Sequence, residues 1–238
     1  MTLDETIKGR HSTRTFTDDP LPDEDLRAIV DAARWAPSGD NSQPWRFLAI
    51  RDGELKNKIA DIVEKRAEKA AQIMKEIYVD GTREETNSPL CDETPTAGTD
   101  PEKFMRFSNR FILFFRTAPV VMMCYSKPYE MNFFNNAMRR TYEDTEAFDE
   151  FFLKLSPQTQ SCGAAIEHMM LKAVDLGYGT CWQMGPVTAY EEIEQLLKDE
   201  YDFEMPGMDI IAMVPIGVPD GEQKSPSRKS VDEILTVI

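Results

Sequence analysis

The sequence has few residues of the kind that hold metal ions. Its 238 residues include four cysteines and two histidines, and no two cysteines form a C-x-x-C pair. Zinc sites need clustered Cys and His ligands, so this spacing argues against zinc, and we predict no metal site. Cys124 lies inside an apolar run, and Cys162 and Cys181 flank another. These positions favour buried thiols.

Positive charge is scarce as well. Lysine and arginine total 27 against 42 aspartate and glutamate residues, so the formal net charge is −15. A chain this acidic is repelled by the phosphates of nucleic acids and by anionic lipid. We therefore expect neither a nucleic-acid partner nor a membrane partner.

The sequence also lacks a long hydrophobic run. The longest, Ala118–Tyr125, is far shorter than the roughly 20 residues that a membrane-spanning helix needs. Residues 1–10 contain Asp4 and Glu5 and no apolar signal core, so we expect a cytoplasmic location. The composition, 41% hydrophobic and 29% charged, is that of an ordinary folded protein. The length suits one domain over residues 1–238.

Hydrophobic spacing predicts several amphipathic helices. Asp23 is the expected N-cap of the first, and Thr188-x-x-Glu191 is typical of a capping box that opens a later one. Phe148, Phe151, Phe152 and Leu155 fall on one helical stripe, which favours core packing. The principal helices are expected at Pro22–Trp35, from Glu54 past Met74, and at Ser161–Leu176 with Gly177 as the stop.

Short apolar runs between turn residues predict the strands. They are expected at Arg46–Arg51, Ala118–Tyr125 and Asp209–Val218. The second run is continuously hydrophobic, which is typical of a central strand covered on both faces. Pro215 should lie at an edge or near the end of the third strand because it lacks an N–H donor. The polar stretch Tyr78–Lys103 is too long for a routine connection, and we interpret it as an inserted excursion or lid.

A basic segment near the N-terminus is the first candidate site. If Arg10–Phe16 is extended, as Thr13 and Thr15 allow, Arg10, Ser12 and Arg14 point to the same side. Two guanidinium groups and a hydroxyl match the oxygens of a phosphomonoester. The same pattern also arises on ordinary solvated surfaces, so taken alone it leaves both interpretations open.

A second candidate site links the first helix to the first strand, at Ala36–Phe47. Pro37 and Gly39 permit a tight backbone to approach a flat ring. Asn41 and Gln43 each offer an acceptor and donors, and the pyrimidine edge of a flavin alternates acceptors and donors in the same way. A plain helix-to-strand loop is the alternative.

Together and in this order, these segments resemble the FMN-dependent nitroreductase family. That family opens with R-x-S-x-R/K-x-F and then P-S-x-x-N-x-Q-P-W-x-F, which here are Arg10–Phe16 and Pro37–Phe47. The resemblance continues through Ala118–Val121, Ser161–Leu176, Gly177–Trp182, Ile216–Pro219 and Ser227–Lys229. It implies an α+β fold: a three-layer α/β/α sandwich with a mostly antiparallel central sheet, in an intertwined homodimer.

The resemblance also implies roles for individual residues. Arg10, Ser12 and Arg228 would bind the phosphate of flavin mononucleotide (FMN), with His11 beside them, and Arg14 would face the N1 and O2 edge of the ring. A fixed cation there stabilises the reduced flavin. The partner subunit would contribute Pro37, Ser38, Gly39, Asn41 and either Gln160 or Ser161. Trp182, Met184 and Gly185 would lie near N5, although Trp182 and Met184 equally suit core positions.

The implied activity is hydride transfer from NADH or NADPH, through flavin N5, to small organic oxidants such as nitroaromatics or quinones, with ping-pong kinetics. No protein side chain needs to act as a nucleophile, because the flavin carries the chemistry. Two alternatives stay open. One is a dedicated flavin enzyme of the same fold, either a reductive dehalogenase or a flavin-fragmenting enzyme, and the other is a non-catalytic protein that stores or senses flavin.

Overall fold

The computed structural model describes residues 1–78, 101–221 and 226–238. The helices are α1 (Leu3–Gly9), α2 (Asp23–Ala33), α3 (Gly53–Tyr78), α4 (Pro101–Phe111), α5 (Phe133–Arg139), α6 (Thr145–Leu155), α7 (Pro157–Asp175), α8 (Tyr190–Tyr201) and α9 (Val231–Ile234). The strands are β1 (Trp45–Ile50), β2 (Val120–Ser126), β3 (Gly179–Thr180) and β4 (Asp209–Gly217). The predicted helices and strands are all present, with ends shifted by a few residues.

The strands form one antiparallel sheet in the order β1-β2-β4-β3. Every residue of β2 is buried, which confirms the prediction of a central strand from its unbroken hydrophobic run. β1 lies at one edge and the short β3 at the other. The sheet is therefore narrow, and its two edges are available to neighbouring segments.

Helices cover both faces of this sheet. Because side chains alternate along a strand, Val121 and Met123 of β2 enter one core, where they meet α3 and α8. Val120 and Met122 enter a second core on the opposite face, where they meet α2 and α7. This is the three-layer α/β/α arrangement expected of the α+β fold.

Pro215 lies near the end of β4, as predicted. Its neighbour two residues back, Met213, donates its backbone N–H to the carbonyl of Gln183 at 2.9 Å, on the β3 side. Alternate N–H groups of a strand point the same way, so the missing donor of Pro215 faces that side too. The β3 ladder pairs only Thr180 with Ile216 and Gly179 with Gly217, so no ladder bond is lost at Pro215.

Both predicted helix starts were wrong. α2 begins at Asp23 itself, and its N-cap is Pro22, which offers no capping side chain. α8 begins at Tyr190 after a short 3₁₀ turn, Gly185–Ala189, in which the Thr188 hydroxyl donates to the Gly185 carbonyl at 2.7 Å. Thr188 therefore lies inside the 3₁₀ turn and is not the N-cap of α8, which is Ala189.

Two other expectations need correction. Of the excursion predicted over Tyr78–Lys103, both ends are helical, since α3 runs to Tyr78 and α4 starts at Pro101; residues 79–100 lie outside the described part. In α6 only Phe148 is buried, whereas Phe151 and Leu155 are exposed, so that stripe is not a core face in one chain.

In the part of the chain described, no helix is long and apolar enough to cross a bilayer.

Candidate functional site

The basic segment is extended, as predicted, because its backbone joins the sheet edge. The Thr13 N–H donates to the Thr180 carbonyl at 2.9 Å, and Ser12 forms a parallel bridge with Thr180. Further along, Phe16 bridges to Pro219. Thr13 and Phe16 are buried while Ser12 is exposed, so the two buried side chains anchor the segment and Ser12 stays open to solvent.

Gly179 permits this close approach. A Cβ atom at Gly179 would lie 2.4 Å from the Thr13 hydroxyl oxygen and 2.7 Å from Thr13 Cβ. Real Cβ contacts are essentially never this short, so a side chain at residue 179 would push the basic segment off the strand. Gly179 therefore determines the position of the basic segment that carries Arg10 and Arg14.

The three predicted anion ligands all influence the Cys181 thiol. Arg10, Ser12 and Arg14 all lie close enough to the Cys181 thiol to affect its pKa. Burial raises the pKa of Cys181, while the charge of Arg14, a hydrogen bond with Ser12 and the charge of Arg10 oppose that rise. These contributions place the three residues in the neighbourhood of one thiol, and their shared role as anion ligands stays a prediction.

The two arginines have different surroundings. The Nε atom of Arg10 lies 3.6 Å from a carboxylate oxygen of Glu167 on α7. Arg14 donates from Nη1 to the Ser12 carbonyl at 3.2 Å and stacks over the Phe111 ring at 5.0 Å. Its Nε atom is buried and, among the described residues, has no hydrogen-bond partner. Arg14 is therefore held in position while one of its donors remains unsatisfied.

His11 and Arg228 do not join this group directly. His11 is half-buried and, with Gly177 and Gly179, lines a separate cavity of about 170 Å³. Because neighbouring residues of an extended segment face opposite ways, His11 points away from the arginines. Arg228 is exposed, and within the described residues its guanidinium donates only to the Pro226 carbonyl, at 3.2 Å. The phosphate roles of both residues stay predictions.

The second predicted segment forms a strained, exposed loop. Asp40, Asn41 and Gln43 have φ angles of 54°, 52° and 45°, a left-handed conformation that costs non-glycine residues free energy. The Ser38 hydroxyl accepts from the Gln43 N–H at 3.1 Å, and the Gln43 amide donates to Asn41 Oδ1 at 3.3 Å. Part of the predicted donor and acceptor pattern is thus used inside the loop.

The loop faces the start of α7 across a cavity of about 230 Å³. Gly39, Asp40 and Ser161 are among the residues that line it. Ser161 donates to the Pro157 carbonyl at 3.0 Å, and the Gln160 side chain donates to the Leu155 carbonyl. The structure therefore brings Gly39 and Ser161 together. Both α7 side chains also satisfy carbonyl groups at the helix start. The exposed Pro37 and Asn41 lie on the same loop.

Trp182 and Met184 are not core residues. Their side chains are 38% and 66% exposed, so the core interpretation of these two positions was wrong. Gln183 between them is buried, and its amide donates to the carbonyls of Phe111 at 3.1 Å and Ile112 at 3.0 Å. Gln183 was not among the residues predicted from the sequence. A polar residue between two large apolar ones is nevertheless a pattern in which the polar side chain can be the buried one.

Gly185 packs directly against the same helix end. A Cβ at Gly185 would lie 3.2 Å from Ile112 Cγ2, a distance tighter than ordinary contact. With the Gln183 hydrogen bonds, this contact fixes the backbone of residues 182–185 to the end of α4. The residues expected near N5 thus lie on a firmly held turn, next to the arginine that stacks on Phe111.

Comparison with known proteins agrees with this geometry. The sequence model of the Nitroreductase family matches residues 7–218. The fold is similar over its whole length to a BluB-like flavoprotein from Clostridium difficile 630, with TM-score 0.84, 35% identity, and coverage of 100% of this chain and 99% of that one. An oxidised iodotyrosine deiodinase bound to FMN and 3-iodo-L-tyrosine has a similar fold, with TM-score 0.62, 21% identity, and coverage of 97% and 96%.

Sequence relatives include iodotyrosine deiodinase 1 of Rattus norvegicus, which is 36% identical over 64 residues. That stretch is 27% of this chain and 22% of the relative, so this chain spans less than a quarter of the relative's length. The match to the family model covers both candidate segments, the sheet and the turn at residues 182–185. This chain belongs to the nitroreductase family.

Proposed function

We propose that this chain, as one domain over residues 1–238, binds FMN and transfers hydride from NADH or NADPH to a small organic oxidant such as a nitroaromatic or a quinone. The observation that carries the proposal is the docking of the basic segment on β3, which holds Arg14 over Phe111 with a buried Nε that has no hydrogen-bond partner among the described residues. In a chain of net charge −15, two arginines held at one exposed edge form a specific anion site.

The residues present fit FMN. The buried and unpartnered Nε of Arg14 is the kind of donor that a bound acceptor would satisfy. Ser12 is exposed and Arg10 has only a long contact to Glu167, so both can turn to a phosphate. Arg10 and Ser12 would hold the phosphate and Arg14 the pyrimidine edge. When bound, FMN would supply the two-electron chemistry between the nicotinamide and the oxidant.

The chain's own contribution is position and charge. Phe111 and the Ser12 carbonyl hold the Arg14 guanidinium in one orientation, so its positive charge needs no reorganisation when the ring becomes negative. Gln183 fixes the turn that carries Trp182, Met184 and Gly185. These exposed positions would orient the reacting edge through the backbone.

A homodimer would complete the site. The loop carrying Ser38, Gly39 and Asn41 projects outward, and little of its own chain covers it. The described C-terminal residues also expose a run of apolar side chains, which marks an interface with another protein surface. These are Val231, Ile234, Leu235, Val237 and Ile238. We expect a chain ending at Ser230 to sediment as a monomer and to lose FMN, whereas the full chain sediments as a dimer.

A dedicated dehalogenase is the second candidate, since relatives of similar fold or sequence are named iodotyrosine deiodinases. A flavin store is the third. An anaerobic experiment separates the three. The purified chain is saturated with FMN, bleached with NADH or NADPH, and offered nitrobenzene, a quinone or 3-iodo-L-tyrosine while flavin reoxidation is followed.

The proposed activity requires bleaching followed by fast reoxidation with the nitro compound or quinone. Reoxidation only by the iodinated amino acid would favour the dehalogenase. Bound FMN that no nicotinamide reduces would favour storage. A chain that does not retain FMN at all would overturn every flavin reading.

A further inference from the structure

A third cavity, separate from the two described above, adjoins the turn that carries Gly185. It has a volume of about 550 Å³ and lies between α3 and the 3₁₀ turn Gly185–Ala189, with Ile112 at its wall. A space of this size holds a small organic molecule. None of the sequence motifs described above falls on its α3 side.

The floor of this cavity is apolar. Val63, Ala67 and Ala70 fall one turn apart on the face of α3 that lines it, and Ile73 and Ile112 extend it. The two alanines leave space that larger side chains would fill, so the cavity follows directly from the sequence of α3. An aromatic or aliphatic body would be desolvated there.

The rim carries excess positive charge. Arg66 and Lys69 line the cavity from α3. Arg66 is paired with Glu192 of α8, whereas Lys69 has no ion pair with any described residue. The charge of Lys69 also reaches Glu192. The rim still carries two cations, Arg66 and Lys69, against that one carboxylate, so an anionic group on a bound molecule would meet net positive charge above the apolar floor.

The cavity shares a wall with the proposed reaction edge. Gly185 and Thr188 line it, and Gly185 is in contact with Ile112, which is also part of the wall. A molecule lying on the α3 floor would therefore have one end at the turn that is expected to face N5. Its other end would be at the Lys69 rim.

We infer that this cavity is the oxidant subsite and that it favours aromatic oxidants carrying a carboxylate or a similar anionic group. The inference rests on the proposed function, since the reaction edge is placed by the FMN site. It adds a substrate class that the arginine cluster alone does not indicate: an aromatic molecule whose reducible group lies at the turn and whose anionic group lies at the Lys69 rim.

The test compares 4-nitrobenzoate with neutral 4-nitrobenzyl alcohol in wild-type protein and in Lys69→Gln. We expect Lys69→Gln to lower kcat/KM for 4-nitrobenzoate about fivefold, because a partly exposed charge pair contributes up to about 1 kcal/mol. The rate with 4-nitrobenzyl alcohol should change less than twofold. Lys65→Gln is the matched control, since Lys65 lies on the same helix and is exposed but does not line the cavity.

Binding provides a readout that needs no turnover. Calorimetric titration of the oxidised FMN-loaded protein with 4-nitrobenzoate should give weaker binding in Lys69→Gln and no detectable binding in Ala70→Phe, which fills the floor. Repeating the titration on the FMN-free chain separates two failures. If FMN is not retained but 4-nitrobenzoate still binds in a Lys69-dependent way, the proposed function falls and the cavity assignment stands.

Equal kinetics and equal affinities for both nitro compounds in wild-type and Lys69→Gln protein would overturn the anionic preference. Unchanged binding in Ala70→Phe, in a variant that unfolds at the wild-type temperature, would overturn the cavity as the subsite. If Ala70→Phe does not fold, the Lys69 and Lys65 pair still decides the question.

Discussion

The segment Arg10–Phe16 and the loop Pro37–Gln43 carry the two halves of the candidate flavin site, and the chain supports them differently. The first is held by backbone hydrogen bonds to β3 and by buried Thr13 and Phe16. The second is exposed, and its left-handed residues are stabilised mostly by contacts within the loop. One half is built by its own chain, and in the proposed homodimer a second subunit would complete the other.

This difference predicts how each half responds to substitution. Changes beneath the first half should reduce folding stability and flavin binding together, because the same contacts serve both. Changes in the second half should hardly affect the stability of one chain, and their cost should appear when the dimer and the flavin assemble. Five substitutions test this contrast, from the largest expected effect to the smallest.

Gly179→Ala should have the largest effect. The added Cβ would collide with the Thr13 side chain, and overpacking of this kind costs about 1–3 kcal/mol of unfolding free energy. We expect lower stability in urea together with loss of FMN retention. Gly53→Ala is the matched control, because nothing lies within 4 Å of that position. Retention of FMN by Gly179→Ala at wild-type stability would show that the first half does not depend on β3.

Arg10→Ala should mainly weaken FMN binding, whereas Arg14→Ala should mainly change the reduction potential of bound flavin. A hydrogen bond to a charged group contributes about 1.5–3 kcal/mol, so loss of Arg10 should weaken FMN binding roughly 10- to 100-fold. Arg14→Ala should weaken binding less and lower the reduction potential of bound flavin, because the fixed cation beside the ring is gone. Fluorescence titration and anaerobic redox titration measure the two effects. Equal affinity losses without a change in potential would contradict this division.

Tyr178→Phe should have a smaller effect, seen mainly at high pH. Tyr178 lies in the turn before β3 and donates to Asp25 of α2 at 2.6 Å. Burial, followed by the bond to Asp25, raises the pKa of Tyr178 to about 12. The phenol is therefore more stable protonated in the folded chain, and its contribution is complete below pH 10 and is lost as the pH rises toward 12.

The measurement is the unfolding free energy between pH 8 and pH 12. Below pH 10 the unfolding free energy of the wild-type chain should exceed that of Tyr178→Phe by roughly 0.5–1 kcal/mol. This difference should become smaller as the pH rises above 10. A difference that stays constant across this range would mean that the phenol is not perturbed.

Gln43→Gly should have the smallest effect on one chain. Glycine relieves the left-handed conformation of residue 43, but it also adds entropy to the unfolded state, and the two terms nearly cancel, within about 0.5 kcal/mol. FMN affinity should still fall, because the loop loses its Gln43–Asn41 hydrogen bond. A stability loss above about 2 kcal/mol would mean that the loop is supported like the first half.

The contrast also explains which features the sequence could predict. The basic segment is short, and its extended conformation along β3 was predicted from its residue types, whereas the shared site of Arg10, Ser12 and Arg14 stays a prediction. The central strand could also be predicted from the sequence, because a strand that is buried on both faces must be apolar throughout.

The features that escaped prediction depend on contacts distant in sequence. Gln183 serves the carbonyls of Phe111 and Ile112, more than 70 residues away, and no local pattern encodes that pairing. Whether Phe151 and Met184 are exposed depends on which other residues pack over them. The apolar character of a single residue does not reveal its packing partners. The capping box predicted at Thr188 failed because the 3₁₀ turn Gly185–Ala189 carries the chain past Thr188 before α8 begins.

The burial of Cys181 has a consequence for the path of electrons. A thiol between two arginines would ordinarily ionise readily, yet burial keeps the pKa of Cys181 above its usual value. The protonated thiol is a poor nucleophile toward quinones and a poor partner for disulfide exchange. If FMN binds at the proposed site, the protonated Cys181 thiol would therefore react little with an oxidant there, and the flavin would carry the electrons.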